Sequence, residues 1–205
     1  MRKNHGSTAL TNHLGVFTEE EIKQILAVVS DDKYGIRDRA MVELFYSTGL
    51  RRSELASLDV ADVDFRTREI LIRKGKGEKE RIVPVGEKAL EVLREYLVIR
   101  KKFLGRNRDC GALFLTSRGR RPVPDKLSRR ICLLKEKAGI ISKGLAHAFR
   151  HSFATHTLAN GAPLEAIRRM LGHAQLSTTQ MYAHTDREKL AAVHKRTHPK
   201  AMEAE

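Results

Sequence analysis

GLAHAFRHSFATHTLANGAPLEAIRRMLGHAQLSTTQMYAH, residues Gly144 to His184, holds the most unusual polar chemistry of the chain and organises the reading of the rest. With His147 at zero on a wheel turning about 100° per residue, Arg150, His151 and Ala154 fall on one side, and Phe149, Phe153 and Asn160 on the other. One face reads as core and the other as a site. Asn160-Gly161 suits a helix end, since glycine takes the left-handed conformation there, and Pro163 opens the next helix where no N–H is needed. Leu164, Ile167 and Leu171 recur at helical spacing, Gly172 stops that helix, and His173 falls in the turn after it. Ser177 to Gln180 has the form of a capping box and predicts a short helix carrying Tyr182.

A phenol titrates near pH ~10 and is a poor nucleophile unless cations stabilise the developing phenolate or the charge on its target. A phosphodiester is the natural electrophile. Its pentacoordinate transition state spreads negative charge over equatorial oxygens that planar guanidiniums grip bidentately.

His147-x-x-Arg150, Leu171-Gly172-His173 and Tyr182, nine residues after His173, resemble the C-terminal half of the active site of the tyrosine recombinases, the phage-integrase family. Upstream, Thr48-Gly49-Leu50-Arg51-Arg52-Ser53-Glu54-Leu55 resembles the block carrying that family's first catalytic arginine, with Arg51 at the matching position. Arg52 is expected to face solvent or DNA, and Glu54 to orient its neighbours. The period changes between Arg68 and Val85, where Glu69-Ile70-Leu71-Ile72 and Arg81-Ile82-Val83-Pro84-Val85 predict a hairpin around Lys74 to Lys79. It is similar to the family's strand hairpin bearing a catalytic lysine, here Lys76. The closing His198-Pro199-Lys200-Ala201 is similar to the tail of Xer-type members.

By the resemblance the fold is α+β and mainly helical, with a small antiparallel sheet or hairpin beside a helical core. The expected domains are an arm or linker stub over 1–17, a catalytic domain over 18–184, and a C-terminal helix and tail over 185–205 that contacts a neighbouring protomer. The implied activity is site-specific DNA strand exchange, with catalytic residues Arg51, Lys76, His147, Arg150, His173 and Tyr182. Double-stranded DNA and a homo-tetramer on it are the implied partners, and no metal, small-molecule cofactor or ATP is implied. Two other activities fit the same residues: a type IB topoisomerase that reseals its own strand, and a DNA-binding regulator without catalysis. Members of this type usually carry a helical core-binding domain ahead of the catalytic one. About seventeen residues precede the first helix here, as expected of a naturally short recombinase or of a catalytic fragment.

Composition agrees. Lys and Arg total 39 against 25 Asp and Glu in 205 residues, a formal charge of +14 spread along the chain, which implies a polyanionic partner, nucleic acid first, or simply a basic globular surface. Cys110 and Cys132 lack metal-ligand spacing or a disulfide framework. No apolar run approaches the ~18 residues of a membrane span and no signal peptide opens the chain, so a cytoplasmic location is expected.

The remaining segments read as scaffold. Thr18-x-x-Glu21 predicts a capping box, helices are expected over about 36–46, 87–104 and 124–138, and Asp186 is expected to cap a last helix through about His194. The loop Ser117 to Pro122 reads as basic and suited to phosphate, and Arg129, Arg130 and Lys135 as available outside their helix.

Overall fold

A computed structural model describes residues 15–73, 80–141, 146–172 and 184–202. Helix α1 (Glu19–Ala27) starts at the expected box: Thr18 Oγ1 accepts the Glu21 N–H at 3.1 Å, and the Glu21 carboxylate accepts the Thr18 N–H at 2.8 Å. Val16 and Phe17, at the end of the segment read as an arm, are buried. Phe17 packs on Phe149 with ring centroids 4.9 Å apart, and its N–H donates to Ser152 Oγ at 2.8 Å.

Helix α2 (Lys33–Thr48) is the axis of the fold and starts a turn earlier than expected, because the Asp32 side chain caps it by accepting the Gly35 N–H at 2.8 Å. Ala40 to Thr48 are buried without interruption, as a helix covered on every side requires. Its main partners are α4 (Glu87–Leu104) and α6 (Ala146–Ala159). Gly49 ends it in the left-handed conformation at φ 60°, and any side chain there would meet Leu171 and Phe153 at 2.7 Å.

After the short helix α3 (Arg52–Ser57) and a 3-10 turn come three antiparallel strands in the order β1 (Val63–Asp64), β2 (Glu69–Ile72) and β3 (Arg81–Pro84). The hairpin expected from the sequence is β2–β3, with Ile70 opposite Val83 and Ile72 opposite Arg81. Strand β1 was not expected, since two residues are too few to show alternation. The turn with Lys76 lies outside the described residues.

Helix α5 is Pro124–Lys137, followed by α6, α7 (Leu164–Leu171), α8 (His184–Thr197) and α9 (Pro199–Met202). Helix α8 continues three residues past the expected His194 end. Its buried Leu190 joins Phe153, Ala162, Ile167, Met170 and Leu171 in a second apolar cluster of the same chain. Helices α7 and α8 both pack on β3, which carries the end of α7 to the sheet edge. Among the described residues no helix is long and apolar enough to cross a membrane.

Two cationic readings change. Arg130 is not free outside α5, because its Nε donates to the fully buried Asp38. Arg121 of the basic loop donates to the carbonyls of Ala56, Ser57 and Leu58 and pairs with Asp59. Both are drawn inward by acceptors that burial leaves short of water: a carboxylate in one case, the end of α3 in the other.

Candidate nucleic-acid strand-transfer site

Three arginines from separate parts of the sequence meet where α2 and α7 end. Both helices stop at a left-handed glycine, Gly49 and Gly172, and each leaves carbonyls pointing outward at the negative pole of its dipole. Arg150, one turn along α6 from His147, bridges the two ends: Nη1 donates to Gly49 O at 2.9 Å and Nη2 to Leu171 O at 2.6 Å. The wheel placed Arg150 on the site face. It lies there but is 8% exposed, since its guanidinium turns in to these carbonyls, whereas His147 and His151 are exposed. Phe149 and Phe153 are core as expected.

Arg51 sits just before α3, and Glu54 in the first turn accepts both its backbone N–H at 2.8 Å and its Nη1 at 2.9 Å. Arg51 Nη2 also approaches Gly172 O at 3.5 Å, and about a quarter of the side chain is open to solvent. Arg81, the first residue of β3, completes the group. Its two terminal nitrogens each donate to a Glu54 oxygen at 2.8 Å and its Nε donates to Met170 O at 3.0 Å. Nothing in the sequence marked Arg81 beyond its place in a β-branched run. Its partners lie 27 and 89 residues away.

Burial would raise the Glu54 carboxyl, but the Arg81 fork and the Arg51 N–H groups hold it below its ordinary value. Glu54 is thus an ionised orienting group, as expected. Arg150 moves the other way: burial, then the Arg51 charge, and Arg81 after the opposing Glu54, bring it down to about 10. Among the described residues, three guanidiniums against one carboxylate leave a largely buried excess of positive charge that an anion would relieve. Arg52, beside Arg51, points away and pairs with the exposed Asp125 at 2.8 Å.

The structure therefore brings together Arg51 and Arg150, and sets the exposed His147 on the helix that carries Arg150. Lys76, His173 and Tyr182 lie outside the described residues. Among the described residues no three His, Cys, Asp or Glu side chains converge to hold a metal ion.

The profile of the phage integrase family matches residues 15–189. Tyrosine recombinase XerC 2 of Ralstonia nicotianae is 42% identical over 200 residues, covering 96% of this chain and 57% of that protein. Tyrosine recombinase XerC of Thermodesulfovibrio yellowstonii is 43% identical over 193 residues, covering 92% and 64% respectively. The chain thus spans under two thirds of the length of these curated relatives. Among solved structures, XerA recombinase superposes with a TM-score of 0.70 at 30% identity, over 92% of this chain and 60% of that one. The XerH recombinase, bound to a palindromic difH substrate after cleavage, superposes with a TM-score of 0.69 at 27% identity, over 87% and 52%.

Proposed function

This chain belongs to the phage integrase family, and on that premise we propose that it carries the catalytic centre of a tyrosine-type, site-specific DNA recombinase. The observation that carries the reading is the buried guanidinium excess at the joined ends of α2 and α7, built from the Arg51 and Arg150 that match the family's motifs. A phosphodiester supplies the missing negative charge, and the XerH structure superposed above is one of a recombinase with DNA bound.

In the proposed reaction the Tyr182 oxygen attacks phosphorus in line and gives up its phenol proton to one of the two histidines, His147 or His173, forming a 3′-phosphotyrosyl bond while the bond to the 5′ oxygen breaks. Lys76 gives that oxygen its proton. Arg51 and Arg150 hold the nonbridging oxygens, with hydrogen bonds from His147 and His173, and the charge that builds on phosphorus is met by donors already in place. Attack by a partner strand's 5′-hydroxyl reverses the step, with the bond energy kept and no ATP consumed. Double-stranded DNA is the substrate, a tetramer on DNA is the assembly, and the cytoplasm is the location in this reading.

The test starts by letting the protein select binding sites from a random-sequence duplex library, then offers the selected site with a nick beside the scissile phosphate. A denaturant-stable protein–DNA adduct is the expected product. Site-selective binding with no adduct would overturn catalysis and favour a DNA-binding regulator.

A further inference from the structure

We propose that Arg81 is a positioning residue of this site, setting Arg51 against the phosphate by holding Glu54 and the end of α7 together from the sheet edge; the inference rests on the recombinase reading. Arg81 is 4% exposed, so it does not itself present a face to DNA. All three of its polar nitrogens are used: two on the separate oxygens of Glu54, one on Met170 O. Only arginine has the planar fork for this, since a lysine ammonium in the same place reaches one oxygen at a time.

Arg81 and Arg51 share Glu54 Oε1, at 2.8 and 2.9 Å. With Arg81 claiming one lone pair on each carboxylate oxygen, Glu54 holds Arg51 through a single side-chain contact and one backbone N–H. Remove Arg81, and the carboxylate either engages Arg51 with both oxygens, turning its donors away from substrate, or takes up a proton and lets Arg51 go. Either change misplaces the Arg51 guanidinium without substituting any residue that touches DNA.

Gly172, which ends α7, lies over the same side chain. A Cβ on Gly172 would lie 3.0 Å from the Cδ, Nε and Cζ of Arg81, and its φ is 66°. Gly172 is therefore required twice, by its left-handed backbone and by the guanidinium beneath it. The carbonyls of Met170, Leu171 and Gly172 then face Arg81, Arg150 and Arg51 in turn. Arg81 is the member of that row that also ties it to β3, of which it is the first residue.

The experiment compares wild type, Arg81→Lys and Arg81→Met in two ways. Single-turnover cleavage of the selected nicked duplex at saturating DNA should fall roughly tenfold in Arg81→Lys, which keeps the buried charge and loses part of the fork. It should fall about 10²-fold in Arg81→Met, with DNA affinity nearly unchanged in both. The Arg81→Met rate should also drop further as pH falls, as Glu54 becomes protonated. In parallel, the Glu54 13C carboxyl signal is titrated by NMR without DNA: it should titrate below the ordinary carboxylate range in wild type and clearly higher in Arg81→Met, where the fork that opposes burial is gone. Wild-type cleavage rates in Arg81→Lys, or an unchanged Glu54 titration in Arg81→Met, would overturn the proposal. Failure of wild type to cut would overturn the functional reading instead, and the Glu54 titration, read without DNA, still decides what Arg81 does to its carboxylate.

Discussion

The end of α2 is capped on two sides, by one charged group on one side and by two neutral ones on the other. On the site side Gly49 O receives the Arg150 guanidinium. On the far side Ser47 O and Tyr46 O receive the Nε2–H groups of His194 and His198, at 2.7 and 3.0 Å, from the C-terminal helix and its tail. Those imidazoles stack on each other with centroids 5.0 Å apart, and Phe153 stacks on both. The backbone need is the same, an acceptor left over by the helix end. The chemistry differs because the surroundings differ. Around Arg150 there are the Glu54 carboxylate, the Arg51 and Arg81 guanidiniums and, in our reading, a place for phosphate. Around the histidines there are aromatic rings, and burial pushes His194 down to about 4 and His198 well below its usual value, helped by His194, His156 and Lys200 nearby. The guanidiniums keep their charge on one side of the helix end, and the joint that fixes the C-terminal helix is kept neutral.

The largest expected effect is on the charged side. Arg150→Ala or Arg51→Ala should slow cleavage of the selected nicked duplex by about 10²- to 10³-fold, the usual cost of removing one donor to a transition-state oxyanion. Single-turnover rates at saturating DNA check this, and a loss confined to affinity would mean that the guanidiniums bind DNA without serving the chemistry.

An intermediate effect belongs to the neutral side. A histidine whose folded pKa lies below its unfolded one adds stability that is fully present above about pH 6.5 and is lost as pH falls toward the folded value. Between pH 7.5 and 5.5 His194 and His198 should together give up stability on the order of 1–3 kcal/mol. Urea midpoints at the two pH values measure the loss, and the double variant His194→Gln, His198→Gln should flatten it. Equal pH sensitivity in the variant would show that the pair is not the source.

The smallest effect separates neighbours in sequence. Arg52→Ala removes an exposed pair with Asp125, worth under about 1 kcal/mol, and should leave cleavage within a few-fold of wild type where Arg51→Ala does not. Equal losses would place the site's register one residue away.

Helix ends and the hairpin were legible in the sequence because their causes are local. The Thr18–Glu21 box, Gly49 and Gly172 each depend on residues within a few positions of one another, and the β2–β3 pairing joins two neighbouring runs, from Ile72 opposite Arg81 to Glu69 opposite Pro84. Arg51, Glu54 and Arg150 were legible through their motifs. Arg81 was not, because its worth comes from partners on α3 and α7 that only folding brings close. The histidine joint left a signal that went unused: His194 and His198 are four apart, the spacing of one helix face, and α8 runs on to Thr197 just short of the second. Arg121 and Arg130 read as surface cations because sequence shows charge and not what the charge will be paired with.

The claim that Tyr182 is the nucleophile of a guanidinium-lined phosphoryl-transfer site is tested most directly by digesting the trapped adduct with nuclease and protease and locating the residual nucleotide by mass spectrometry. A 3′-linked nucleotide on Tyr182, absent from Tyr182→Phe protein that still binds the same DNA, is the result expected. A nucleotide on any other residue, a 5′ linkage, or an adduct that persists in Tyr182→Phe would contradict it.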